Sequence, residues 1–409
     1  MDKKTIESIS YISPDSFNSM NKKINEILDL HSNDGKIGLL NGKLGTAFLF
    51  FYYSRFFESS GHYNKGVVLI EEIINEININ TPHTFCSGIA GIAWGLLHLL
   101  ENNFIDADMD HLLNEIDPYL YDTMIKDLNI GNWDFLHGAS GVCLYFIKRH
   151  KHKDMSKYIH HYLIQMDRLK EKSENGSIKW ESLISIKDGN PFRGYNICLS
   201  HGMASLAIIF SKIYVQRIDT DFVEKLLKGT IQYILDQQLD GNKADAYFPL
   251  HSLETSRGNV ASRLAWCYGD LGVAASLFIA GNATKNETLI SKAIEIFLFS
   301  LKNKTHAVCG IRDAGFCHGT SGVASIYKRM YYQTNLDEFN IAANYWFNET
   351  LNFANYDDGI AGFKAWKREE DGGPKNEYSL LEGSTGIGLS LLSAISDNPL
   401  NWDECLLLY

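Results

Sequence analysis

The chain has 409 residues with 38 basic and 49 acidic side chains, a formal charge of −11, which excludes nucleic acid as the expected main partner because a phosphate backbone selects a basic surface. Met1 to Ser8 lack the apolar core of a signal peptide, and the most apolar stretch, Ala47 to Tyr53, is far too short to span a bilayer, so a cytoplasmic chain is expected. Seven scattered cysteines, an odd number, read as reduced thiols rather than a disulfide frame, and a monomer is the default.

Along the chain a Gly-x-x-Gly element returns seven times. Its first glycines are Gly42, Gly88, Gly138, Gly202, Gly269, Gly319 and Gly383, and only the fourth copy departs, with Ser205 in place of the second glycine. Each step between copies is long enough for two helices and their connections. Most copies run straight into small and apolar residues, as in Gly138-Ala-Ser-Gly141-Val-Cys-Leu-Tyr, which predicts a buried helix entered through a glycine turn. Between them lie amphipathic stretches. Residues 67–77 place Ile70, Ile73, Ile74 and Ile77 on one stripe, and residues 222–235 do so with Val223, Leu226, Leu227, Ile231 and Ile234. A buried helix alternating with an amphipathic one is an all-α, double-layered array. Small residues throughout, and no polar capping repeat at either end, favour a closed α/α toroid of seven inner and seven outer helices over an open solenoid. No Pro/Ser-rich linker divides the repeats, so residues 1–409 read as one domain with longer insertions at about 150–198 and 355–380.

Equivalent positions of a ring face the same end of its cavity. Two before the first glycine stand Leu40, Cys86, Leu136, Ser200, Cys267, Cys317 and Leu381; one before it stand Asn41, Ser87, His137, His201, Tyr268, His318 and Glu382. Three cysteines and three histidines in these slots far exceed their share of the chain and mark this face as the chemical one. Copies five and six are neighbours, so Cys267, Cys317 and His318 are expected to converge as a three-ligand zinc set with an open fourth position, whereas Cys86 lies about three copies away and is expected to be a buried small residue. His201 on copy four is the proton-shuttle candidate, and Asp134, four before Gly138, could fix its tautomer and raise its pKa. Arg263 could steady a developing oxyanion. Asp134 equally suits a helix cap and Arg263 a surface ion pair, and His137 suits a supporting position better than a substrate contact.

Trp266-Cys267-Tyr268-Gly269 with Gly272, Cys317-His318-Gly319 with Gly322, and Ser200-His201-Gly202 resemble the signature motifs of the LanC-like lanthionine synthetase cyclases, in order and number over nearly the whole chain. The resemblance implies an α/α toroid, zinc on Cys267, Cys317 and His318, and acid/base work by His201 supported by Asp134, Arg263 and Tyr268. It implies as substrate a dehydrated precursor peptide, leader plus core, whose cysteine thiols add to dehydroalanine or dehydrobutyrine. A dehydratase and an exporter are the partners it suggests, in a membrane-associated complex. Two rivals stay open: a relative that adds glutathione to electrophilic peptide sites, and a non-catalytic zinc-stabilised peptide scaffold. Two loops are candidates for peptide contact, with solvated loop as the alternative for each. One is a short hairpin over the cavity around Asn175-Gly176; the other is a basic, aromatic, flexible flap at 364–378 carrying Lys364, Trp366, Lys367 and Arg368.

Overall fold

A computed structural model describes residues 12–31, 35–187, 189–240, 245–256, 261–302 and 306–408. Among them fourteen long helices alternate between two kinds. Seven begin at the Gly-x-x-Gly turns: α2 (Lys43–Phe56), α4 (Ile89–Glu101), α6 (Ala139–Arg149), α8 (Met203–Val215), α10 (Asp270–Thr284), α12 (Thr320–Thr334) and α14 (Ser384–Ile395). The other seven are α1 (Pro14–Asp29), α3 (Ser60–Glu76), α5 (Asp110–Asn129), α7 (Ser156–Leu169), α9 (Thr220–Asp236), α11 (Glu287–Ser300) and α13 (Asp337–Asn352). The even-numbered helices are buried on nearly every face, and every residue of α6 is buried, whereas α5 buries only a stripe of Leu113, Asp117, Leu120, Met124, Asp127 and Leu128. A helix apolar all round must lie inside, and one with a single stripe covers it. The all-α, two-layered expectation holds. In α3 the buried stripe is Gly66, Leu69, Ile70 and Ile73 while Ile74 is exposed, and in α9 Ile231 is half-buried. Both stripes are centred a little off the expected line because they follow the 3.6-residue turn, on which positions 66, 69, 70 and 73 share a face.

The turns show why glycine recurs. No inner helix has a side-chain cap; in six of the seven the first N–H, which has no partner within the helix, donates instead to the carbonyl six residues before the glycine, as in Met203 N to Asn196 O (2.8 Å), Ile89 N to Pro82 O (2.8 Å) and Ser384 N to Glu377 O (2.9 Å). That carbonyl lies against the glycine. A Cβ on Gly269, which also has φ +93°, would sit 1.9 Å from Arg263 O, and one on Gly322, the second glycine of its copy, would sit 1.8 Å from a different carbonyl, Phe316 O. In the fourth copy the space exists, and Ser205 uses it by donating its hydroxyl to Gly202 O at 2.7 Å. Gly322→Ala is therefore expected to cost at least about 1–3 kcal/mol, as overpacking does, and Ser205→Gly under about 1 kcal/mol. Urea unfolding of the two variants compares them directly.

The chain forms two compact units. One comprises residues 1–79, 264–266 and 303–409, in which α12 packs on α14 and α14 on α2, with α13, α1 and α3 outside them. Within this unit the last repeat joins the first: Leu381 N donates to Leu40 O at 3.0 Å, and Cys317 N to Leu381 O at 2.7 Å. An open solenoid would hold its terminal repeats apart. The other unit comprises residues 80–263 and 267–302, where α4, α6, α8 and α10 pack in succession and α5, α7, α9 and α11 cover them. Here too neighbouring turns are bonded near the same position, Cys86 N to Leu136 O and Leu199 N to Cys267 O, each at 3.0 Å. Among the described residues no helix is long and apolar enough to cross a membrane.

The insertion before the fourth copy contains α7 and two antiparallel hairpins. The first, β1 (Glu171–Lys172) with β2 (Ile178–Lys179), turns at Asn175-Gly176 as expected, but it rests on the outer layer: Ile178 fills the space left by Gly229 of α9, and Trp180 donates to Met166 O of α7. Its apolar residues, Ile178 and Trp180, are thus spent on outer helices. The second hairpin, β3 (Ser182–Lys187) with β4 (Asn190–Gly194), was not expected from sequence; Trp133 Nε1 donates to Glu181 O at its base.

Candidate functional site

In the 80–263/267–302 unit the turns of copies three, four and five meet. Asp134 uses both carboxylate oxygens: Oδ1 accepts the His137 backbone N–H at 2.7 Å, and Oδ2 accepts Nδ1–H of His201 at 2.7 Å. Asp134 thus holds the His137 turn with one oxygen and the His201 ring with the other, and it does not cap the helix that follows, which has no side-chain cap. An ionised carboxylate only accepts, so Nδ1 carries the proton and Nε2 is left as the exchangeable position of the ring. Burial would lower the His201 pKa, but the hydrogen bond and charge of Asp134, helped by Cys267, raise it above the ordinary histidine value. His137 stacks on His201 with ring centroids 6.0 Å apart; burial, opposed by Asp134 and reinforced by His201, lowers its pKa. Of the two rings His201 is therefore the more basic.

Cys267 and Tyr268 belong to the same unit. Burial, with Cys198 beside it, pushes the Tyr268 phenol well above its ordinary value, which keeps it a protonated donor. Burial likewise pushes the Cys198 thiol up to about 12, against hydrogen bonds from Ser200 and His201, so Cys198 stays a thiol at neutral pH. Arg263 is half-buried and, among the described residues, makes no ion pair.

In the other unit, Cys317 and His318 end the turn into α12. Trp266, the residue before Cys267, is locked there: its Nε1 donates to Leu406 O at 2.8 Å and its ring meets Phe316, the residue before Cys317, edge-on at 6.4 Å. Asp313, buried, accepts the Gly315 N–H (3.0 Å) on one oxygen and the Trp366 N–H (2.8 Å) on the other. Burial raises its pKa, with His318 and the two N–H groups opposing. The flap at 364–378 is thereby tied to the turn that carries Cys317 and His318. It is less basic than its sequence suggested, because Lys364 pairs with Asp358, Lys367 with Glu382, Arg368 with Glu370 and Lys375 with Glu377. Arg312 lies over the Trp366 ring at 4.1 Å.

The sulfurs of Cys267 and Cys317 and one ring nitrogen of His318 all lie within 4.8 Å of one another, the one group of three such donors found among the described residues. Two soft sulfurs and an imidazole suit zinc, and three protein ligands leave a tetrahedral ion one open position. Cys86 is buried and outside this group, as expected.

The family profile described as lanthionine synthetase C-like protein matches residues 34–407. The chain belongs to this family. The nisin biosynthesis protein NisC of Lactococcus lactis subsp. lactis is 27% identical over 284 residues, which is 62% of this chain and 65% of that protein, just under two thirds of its length. A solved structure of nisin cyclase superposes with a TM-score of 0.69 at 20% identity, covering 95% of this chain and 97% of the other. That likeness shows the fold of the LanC-like proteins, the α/α toroid expected from the repeats. What the repeat pattern did not reveal in this LanC-like chain are Asn196, Cys198 and Asp313. None stands at the two positions before the first glycine of a copy, and their contacts join residues distant in sequence. Position six before the glycine did carry a signal: Asn132, Asn196 and Asp313 stand there in the three copies that have histidine just before the glycine.

Proposed function

We propose that the chain is a zinc-dependent cyclase that closes (methyl)lanthionine rings by adding precursor-peptide cysteine thiols to dehydroalanine or dehydrobutyrine. The observation that carries this reading is the Cys267–Cys317–His318 donor group, supported by the Asp134–His201 pair. When bound on these three residues, zinc would favour the thiolate form of the incoming cysteine at neutral pH. The sulfur adds to the β-carbon, the alkene electron pair moves to the carbonyl oxygen, and His201 delivers its Nε2 proton to the α-carbon. The thiol proton lost on binding restores His201, so the net change is an isomerisation. Arg263 and Tyr268 would meet the enolate oxygen with a fixed charge and a protonated phenol. Ring closure within one bound peptide also removes part of the entropic barrier.

In this reading the two compact units, between which the chain passes at residues 79–80, 263–264, 266–267 and 302–303, form one domain. The protein works in the cytoplasm as a monomer, and a dehydratase and an exporter are its candidate partners. The test is incubation of the purified, zinc-loaded protein with a dehydrated precursor peptide, followed by thiol alkylation and mass measurement. Loss of alkylatable thiols with no change in peptide mass is expected. Mass gain by glutathione when that thiol is supplied would favour the adduct-forming rival, and retention of every thiol would leave only the peptide scaffold.

A further inference from the structure

We propose that Asn196 is a positioning residue that sets the direction of the Tyr268 hydrogen bond and holds the His201 turn. This rests on the cyclase reading. Asn196 is 1% exposed, and both ends of its amide are used within one compact unit. Its Oδ1 accepts the Cys198 backbone N–H at 3.1 Å, which settles which end of the amide is oxygen, because a backbone N–H can only donate. Nδ2 therefore donates to the Tyr268 hydroxyl oxygen at 3.2 Å. With that oxygen occupied as an acceptor, the phenol proton is turned away from Asn196, and in the absence of substrate the Cys198 sulfur is its hydrogen-bond partner. The same turn continues through Cys198, whose sulfur accepts the His201 backbone N–H at 3.2 Å, and returns to Asn196, whose carbonyl accepts Met203 N at 2.8 Å. One buried amide thus holds both a hydroxyl proposed to meet the enolate and the backbone of the residue proposed to protonate it.

Asn196→Asp keeps the shape and reverses the polarity at Tyr268: the carboxylate must accept the phenol proton rather than donate to its oxygen. Expected for N196D are zinc content and urea midpoint close to those of the parent, KM nearly unchanged, and kcat for cyclisation lower by roughly ten- to a hundredfold, the scale of a misplaced catalytic group. In a Y268F background the same change is expected to cost much less, because the hydroxyl it misdirects is gone. If N196D does not unfold cooperatively, N196A in both backgrounds replaces it, with the same expected split. Equal fold losses in the parent and Y268F backgrounds, or a loss confined to KM, would overturn the inference. A parent protein that consumes no thiol would instead overturn the cyclase reading itself.

Discussion

Cys317→Ala is expected to lower bound zinc from about one ion per chain to nearly none, and cyclisation by about three orders of magnitude or more, with His318→Ala behaving the same way. Three donors are the fewest that hold a catalytic zinc while leaving a position open, and removing one leaves a pair without the chelation needed to compete with water. Both residues lie on the turn that Asp313 braces and that Gly322 allows, so the fold is expected to survive the loss of one thiol or imidazole from it. Cys86→Ala, on a copy outside the donor group, should leave zinc content and rate intact. Metal analysis of the dialysed proteins beside the alkylation assay separates these outcomes. A metal-free Cys317→Ala protein that cyclised at the parent rate would remove zinc from the mechanism.

The second large effect concerns His201. His201→Asn is expected to retain zinc and lose about 10²–10⁴ in rate, the usual contribution of a positioned acid or base. Its partner decides the pH dependence. The working form of His201 is the imidazolium, so activity falls as pH rises through its pKa, which the Asp134 hydrogen bond and charge raise against the lowering effect of burial. Asp134→Asn removes the charge, so the His201 pKa drops and the alkaline limb of the rate profile moves to lower pH. For folding, the sign is the same: the stability that His201 gains from Asp134 is complete below its ordinary unfolded pKa and is lost as pH rises through the raised folded one. A pH–rate profile of the Asp134→Asn protein with an unmoved alkaline limb would sever this link.

Much of the site was legible because a repeat turns sequence position into spatial position. Once Gly138, Gly202, Gly269 and Gly319 open equivalent helices, residues one and two before them must share a face, and Cys267, Cys317, His318 and His201 follow from counting. Asp134 could be placed beside His201 by the same logic. What could not be read were the polar contacts made sideways between turns. Asn196 to Tyr268 and Asp313 to Trp366 each join residues more than fifty positions apart, through side chains whose direction depends on the packing of the turns around them. The flap illustrates the same limit for charge: its lysines and arginine read as a basic surface until Asp358, Glu370, Glu377 and Glu382 are found beside them.

The amino-acid sequence alone determined the alternation of inner and outer helices and the identity of the donor residues. Both rest on local rules: apolar period selects the buried face, and a carbonyl pressed against the helix start admits only glycine in most copies. Tertiary structure decided which oxygen of Asp134 serves the backbone and which serves His201, where the hairpin's apolar residues are spent, and that the last repeat pairs with the first through Leu381 and Leu40. Those outcomes depend on competition among neighbours for a limited number of donors, acceptors and buried sites, and that competition exists only once the chain is folded.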